Sequence, residues 1–177
     1  TLLRDTNGDG KADVKQPFIS QGLNSPYGMA LVGDKLYVAN TDALISFPYK
    51  TGENSITAAP TKIMGLPATA PNMHWTKNIV ASPDGKLLYV AIGSNSNIAE
   101  GGISNEALRA TVLEVDLATR KYRIQSDGAR NPVGLAFHPT SGELWMVVNE
   151  RDMLGSDLVP DYLARAELGT TYGWPYY

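Results

Sequence analysis

Val133-Gly134-Leu135-Ala136-Phe137, then His138-Pro139-Thr140-Ser141-Gly142, then Glu143-Leu144-Trp145-Met146-Val147 is an apolar run, a turn built on Pro and Gly, and a second apolar run. That order is the signature of a β-hairpin. It occurs twice more. Tyr27-Gly28-Met29-Ala30-Leu31 and Lys35-Leu36-Tyr37-Val38-Ala39 flank Gly33-Asp34. Asn78-Ile79-Val80-Ala81 and Lys86-Leu87-Leu88-Tyr89-Val90-Ala91 flank Ser82-Pro83-Asp84-Gly85. Leu36-Tyr37-Val38, Leu88-Tyr89-Val90 and Leu144-Trp145-Met146 therefore return at about 50-residue intervals, the spacing of a blade repeat.

Outward from the hairpins lie further strands at Leu44–Phe47, Thr111–Asp116 and Lys121–Ile124, the last after a turn at Ala118-Thr119-Arg120. Tyr162–Leu168 reads as one or two helical turns over the rim, ended by Gly169. The recurrent aromatics Tyr37, Tyr89 and Trp145 read as core packing. The fold expected is all-β: a β-propeller of which residues 1–177 hold about three blades, with repeats near 23–60, 72–125 and 128–177. A propeller closes with roughly four to eight blades. Three leave an open sheet edge and an uncovered face, so the chain reads as a partial propeller domain.

Composition narrows the function classes. Of 177 residues, 43% are hydrophobic and 19% charged, a globular balance. The formal net charge is −3 with no basic stripe, which argues against nucleic acid as a partner. No apolar run approaches the ~18 residues of a membrane span. There is no cysteine, hence no disulfide, thiolate metal site or cysteine nucleophile. A Gly-x-Ser-x-Gly elbow and a phosphate loop are also missing; Gly93-Ser94-Asn95-Ser96-Asn97 lacks the Lys-Ser/Thr ending.

Four segments carry polar chemistry. His74, one of two histidines, stands just before the second hairpin. It reads either as a general base or as a rim histidine bonded to a backbone carbonyl. His138 reads as an exposed turn residue. Arg130-Asn131 takes the same place before the third hairpin, so blade symmetry brings Arg130 close to His74. Arg130 offers a donor fork for carboxylate or quinone oxygens; otherwise it is tied to a loop acid. Asn149-Glu150-Arg151-Asp152 and Ser156-Asp157 form an oxygen-rich loop. It suits calcium, which takes about six to eight oxygens, or it is a solvated acidic loop. Asp5-Thr6-Asn7-Gly8-Asp9-Gly10-Lys11-Ala12-Asp13 has oxygens at alternate positions, but Gln16 stands where an EF-hand needs Glu. It reads as a second calcium loop through Asp5, Asn7 and Asp9, or as a metal-free Asx-Gly turn.

Taken in order, several motifs resemble the PQQ-dependent sugar dehydrogenases of the sorbosone and soluble aldose dehydrogenase type. They are Ser25-Pro26-Tyr27-Gly28-Met29-Ala30-Leu31, Leu36-Tyr37-Val38-Ala39-Asn40-Thr41-Asp42-Ala43, His74-Trp75-Thr76-Lys77-Asn78, Gly93-Ser94-Asn95-Ser96-Asn97, Arg130-Asn131-Pro132-Val133-Gly134-Leu135-Ala136, residues 149–162, and Tyr172-Gly173-Trp174-Pro175-Tyr176. The resemblance implies a six-bladed propeller with pyrroloquinoline quinone (PQQ) over the channel. It makes His74 the catalytic base and Arg130 a catalytic and cofactor contact. Asn131, Lys77 and Arg151 join as cofactor-binding residues. Calcium falls to the backbone carbonyls of Glu150 and Arg151 and to Asp157. The implied reaction oxidises an aldose or sorbosone-like sugar by hydride transfer to PQQ, with an external electron acceptor, in the periplasm or outside the cell. Met73, Lys77 and Ser156 stand where that family commonly has His, Arg and Asp, and the family pattern continues beyond Tyr177. Two other readings stay open: a non-catalytic propeller that binds a partner, and a calcium-dependent lactonase of propeller type.

Overall fold

A computed structural model describes residues 1–177. The first two strands, β1 (Leu2–Arg4) and β2 (Val14–Gln16), form a small antiparallel ribbon. Three larger sheets follow. The first is β3 (Met29–Val32), β4 (Lys35–Ala39), β5 (Ala43–Pro48) and β6 (Thr61–Gly65), paired in that order. The second is β7 (Lys77–Ala81), β8 (Leu87–Ile92), β9 (Thr111–Asp116) and β10 (Tyr122–Asp127). The third is β11 (Asn131–Phe137), β12 (Leu144–Asn149) and β13 (Tyr162–Arg165). These three meander antiparallel throughout, but β14 (Thr170–Thr171) crosses back and pairs in parallel with β10. The only helical element is a 3-10 turn, Ile103–Glu106.

The three hairpins expected from the sequence are β3–β4, β7–β8 and β11–β12. Tyr162–Arg165, expected as helical turns, is a strand instead. Tyr162 and Ala164 alternate with exposed Leu163 and Arg165, a period of two. Pairing of Trp145 with Arg165 and Val148 with Tyr162 satisfies the backbone along the edge of β12. The first sheet also extends beyond residue 60, through Thr61–Gly65.

The sheets stack face to face, and in the middle one β8 and β9 lose the alternation of a half-exposed sheet. In β8, Leu88, Val90 and Ile92 join Leu113 and Val115 of β9 against Tyr37, Ala39 and Leu44 of the first sheet. On the opposite face, Tyr89 and Val112 pack with Leu144, Met146 and Val148 of the third. The middle sheet is thus buried on both sides. The third sheet leaves Val147 and Leu163 of β12 and β13 exposed; on the outer face of the first, Val38, Ile45 and Phe47 pack with Phe18, Ile19 and Ile56, while Met29 and Leu31 of β3 stay exposed.

The leading strands of the sheets run side by side, β3 against β7 and β7 against β11. Gly28 N–H donates to the Lys77 carbonyl at 3.0 Å, and Asn78 Nδ2 donates to the Val133 carbonyl at 2.8 Å. A Cβ on Gly28 would fall 2.6 Å from Ile79 N, so only glycine permits this approach. The segments just before β7 and β11, and just after β8 and β12, thereby gather at one end of the stack.

Candidate functional site

That end is organised around Gly93–Asn97, the segment leaving β8. Ser94 to Asn97 are polar and buried. Such residues persist in an interior only when hydrogen bonds replace the water they lose. Ser94 N–H donates to the Arg130 carbonyl at 2.7 Å, and Ser94 Oγ donates to the Ser96 carbonyl at 2.6 Å.

His74 sits on this segment. Its Nδ1 lies 3.0 Å from both the carbonyl oxygen and the hydroxyl of Ser94. The carbonyl can only accept, and the hydroxyl proton is committed to Ser96, so Nδ1 carries the hydrogen. Nε2 makes no hydrogen bond within the chain and holds the lone pair. Burial, then the charge of Arg130, pushes the His74 pKa down to about 4 against the bond to Ser94. The imidazole is therefore neutral at pH 7, with its basic nitrogen fixed. Gly93 lets the group assemble: a Cβ there would fall 2.5 Å from the His74 Cβ and collide with Asn131 Oδ1. That Oδ1 is buried without a partner.

Arg130 has no exposed surface. Its Nε donates to the Asn97 carbonyl at 3.0 Å. Nη2 donates to Asn97 Oδ1 at 2.7 Å and pairs with Asp152 at 2.8 Å. Nη1 donates to the Glu150 carbonyl at 2.5 Å, with longer contacts to Asn149 at 3.3 Å. Arg130 and His74 do come together, on opposite sides of Ser94. Arg130 is the strut joining Gly93–Asn97 to residues 149–152, and its tie to a loop acid was one of the two sequence readings. All its N–H directions are in use, so a further direct contact would require giving one up.

Lys77 is also fully buried. Its Nζ donates to the carbonyls of Trp75 at 3.0 Å and His74 at 3.3 Å. With no carboxylate partner, desolvation and then Arg109 lower its pKa to about 8. It clamps the His74 segment from behind rather than facing outward. Arg151 differs: it is half-buried, and its Nε lacks a partner. The Glu150 carbonyl and Asp157 lie on one irregular segment, 149–161, which lines a cleft. Asp161 closes it, accepting from Glu150 N–H at 2.9 Å and Asn149 Nδ2 at 3.1 Å. No group of three His, Asp or Glu side chains converges as a metal site anywhere in the chain. In the Asp5–Asp13 loop, Asp5 accepts from the N–H groups of Gly8 at 2.7 Å and Gly10 at 2.8 Å, and Asp9 from Lys11 at 2.8 Å. This loop lies on the β1–β2 ribbon. His138 is an exposed turn residue, accepting at Nδ1 from Ser141 N–H at 3.1 Å.

Sequence reasoning passed over three participants. Glu106 binds Asn95 and Ser96, Arg109 donates to Asn72 Oδ1 at 2.9 Å, and Trp174 Nε1 donates to the Asn97 carbonyl at 3.0 Å. Glu106 and Arg109 stand in no motif; Trp174 lies in the Tyr172–Tyr176 motif, but its partner is 77 positions away, and no spacing in the sequence announces any of the three pairings.

The model of the family described as TrAA12-like matches residues 1–160, spanning both His74 and the 149–160 segment. The chain belongs to the TrAA12-like family. The motif resemblance to PQQ-dependent sugar dehydrogenases stands with it. Among solved structures, the TrAA12-like chain superposes on the iodide and calcium structures of the Trichoderma reesei carbohydrate-active enzyme of family AA12. TM-scores are 0.76 and 0.75 at 20% identity, over 98% of this chain and 48% of that one. The holo form of the pyranose dehydrogenase PQQ domain from Coprinopsis cinerea gives a TM-score of 0.69 at 18% identity, over 85% of this chain and 40% of that one. An uncharacterized protein of Borreliella burgdorferi is 28% identical over 169 residues, 89% of this chain and 43% of the relative. The TrAA12-like chain thus spans less than half the length of each, and shares with the two solved enzymes an all-β, propeller-like fold. No helix is long and apolar enough to cross a membrane.

Proposed function

We propose that this chain is the base-bearing part of a PQQ-dependent sugar dehydrogenase, a six-bladed propeller once the remaining blades cover the apolar faces of the outer sheets. The observation that carries the reading is the state of His74: neutral, with Nδ1–H held by Ser94 and Nε2 free to accept a proton. The Nδ1 bond to the Ser94 carbonyl is also what a structural rim histidine makes; what supports the base reading is the Nε2 left without a partner.

The residues present fit the implied cofactor. The orphan Asn131 Oδ1 and Arg151 Nε are polar atoms awaiting a partner. Asn131 Oδ1 would accept from an N–H of the cofactor, and Arg151 would meet one of its carboxylates. Arg130 and Lys77 would act from behind, adding positive charge and holding the walls. The carbonyls of Glu150 and Arg151, with Asp157, would supply oxygens to calcium; a carbonyl that already accepts from Arg130 keeps a second lone pair. When bound, PQQ supplies the two-electron hydride acceptor and calcium polarises it.

The chain's own part is proton transfer. Nε2 of His74 takes the proton of the sugar hydroxyl as its carbon is oxidised, and Ser94 stabilises the imidazolium through Nδ1–H. The Arg130 strut fixes both loops around that nitrogen. A secreted or periplasmic setting, an aldose or sorbosone-like substrate and an external electron acceptor belong to the same reading.

The test uses the whole protein that contains this chain, prepared free of cofactor and titrated with PQQ with and without calcium. Aldose-dependent dye reduction is followed in the same samples. Binding and turnover that both need calcium, with turnover lost and binding retained in His74→Ala, is the expected result. Full turnover in His74→Ala would remove the base assignment, and no PQQ binding would leave a non-catalytic propeller.

A further inference from the structure

We infer that Glu106 is a positioning residue for His74, acting through the Gly93–Asn97 segment; this rests on the reading of His74 as the base. Glu106 ends the only helical turn of the chain and is 7% exposed. Its Oε2 accepts from Asn95 N–H at 2.6 Å, and its Oε1 accepts from Ser96 Oγ at 2.7 Å. Both oxygens are thus spent on consecutive residues of one loop.

That loop reaches His74 from two directions. Ser96 offers its carbonyl to Ser94 Oγ, which leaves the Ser94 hydroxyl able only to accept from His74 Nδ1. Asn95 holds the segment carrying the imidazole: its carbonyl accepts from Met73 N–H at 3.2 Å and its Oδ1 from Asn72 N–H at 2.8 Å. Glu106 therefore fixes both the partner that selects the tautomer and the backbone that aims the ring. Arg109 stands near it, donating to Asn72. The competing explanation is that Glu106 serves merely as the counter-charge of Arg109.

Two conservative variants separate reach from charge. Glu106→Gln keeps the length and an acceptor but not the charge. Glu106→Asp keeps the charge but falls a methylene short of Asn95 and Ser96. In the full-length protein, the ¹⁵N resonances of the His74 ring, assigned by difference against His74→Gln, report which nitrogen carries hydrogen. Turnover of the PQQ- and calcium-loaded enzyme is measured in parallel, with thermal melts to establish folding. Positioning predicts that Glu106→Gln keeps the Nδ1–H tautomer and near-normal turnover. Glu106→Asp should give a mixed tautomer and a fall in turnover of about 10- to 100-fold, as expected for a misplaced base. The inference is overturned if Asp preserves the tautomer while Gln loses it, or if neither variant changes it. A scrambled tautomer in Glu106→Asp, alongside a His74→Gln enzyme of undiminished turnover, would uphold the positioning role and reject the base.

Discussion

The imidazole of His74 and the backbone of Ser94 are locked at 3.0 Å, and the same Ser94 donates its N–H to the Arg130 carbonyl at 2.7 Å. One residue thereby sets the tautomer of the candidate base and ties it to the residue just before β11, whose guanidinium is buried. Replacing His74 by Gln keeps the bulk and removes the titrating nitrogen. Turnover of the whole enzyme should fall by about 10²- to 10⁴-fold, the usual worth of a general base, with PQQ affinity little changed. Steady-state kinetics beside a PQQ titration check both halves.

The pH dependence follows from the depressed pKa. Burial and Arg130 bring His74 from 6.5 to about 4, so the proton-accepting neutral form is already dominant above that value. Activity should appear as pH rises through about 4 and lie flat across neutrality, without a limb near 6.5. The acid limb of kcat/KM against pH is the measurement. A limb at the unperturbed histidine value would mean that the imidazole is solvated in the working enzyme.

Gly93→Ala tests how tightly the site is drawn together. The added Cβ would meet the His74 Cβ at 2.5 Å and the Asn131 amide. Neither can retreat easily, since Asn131 begins β11 and the His74 segment is clamped by Lys77. Overpacking of this kind costs about 1–3 kcal/mol, readable by urea denaturation. Activity should fall more than stability alone explains, because the displaced groups are the base and its neighbour.

Arg130 and Asp152 form an ion pair whose two ends are not equivalent. Arg130 is wholly buried, whereas the Asp152 side chain is 62% exposed. Removing Asp152 takes away a screened partner and leaves Arg130 its carbonyl acceptors, so Asp152→Asn should cost no more than about 1 kcal/mol. Arg130→Met strands the carbonyls of Asn97 and Glu150 and frees the 149–152 segment. A loss of about 3 kcal/mol or more is expected. Denaturant melts of the two variants measure the asymmetry directly.

The hairpins were legible because each turn carries its own Gly or Pro and each strand its own apolar run, all within a dozen residues. Thr61–Gly65, Tyr162–Arg165 and Thr170–Thr171 were not. They are edge strands whose identity comes from the partner they join, and Tyr162–Leu168 contains Leu, Ala, Arg and Glu, which favour helix in isolation. The site divides the same way. Equivalent positions before two hairpins placed His74 beside Arg130. The inward course of the Arg130 side chain and the contact of Trp174 depend on hydrogen bonds between residues distant in sequence; Lys77 and Glu106 bind residues 2–3 and 10–11 positions away, but no repeat or motif marks those pairings.

Lys77 offers a last, independent reading of the interior through pH. Its ammonium is buried against two carbonyls, and its pKa falls from 10.5 to about 8. Between those values the unfolded chain binds the proton that the folded chain has released. Unfolding free energy therefore rises with pH across that window, and the contribution is lost as pH falls back through about 8. Lys77→Met abolishes this slope. Between about pH 8 and 10.5 the unfolding free energy of the wild type should rise relative to that of Lys77→Met, since other titrations are common to both. Parallel curves would mean that water reaches Nζ, and that the clamp on the His74 segment is looser than its two hydrogen bonds indicate.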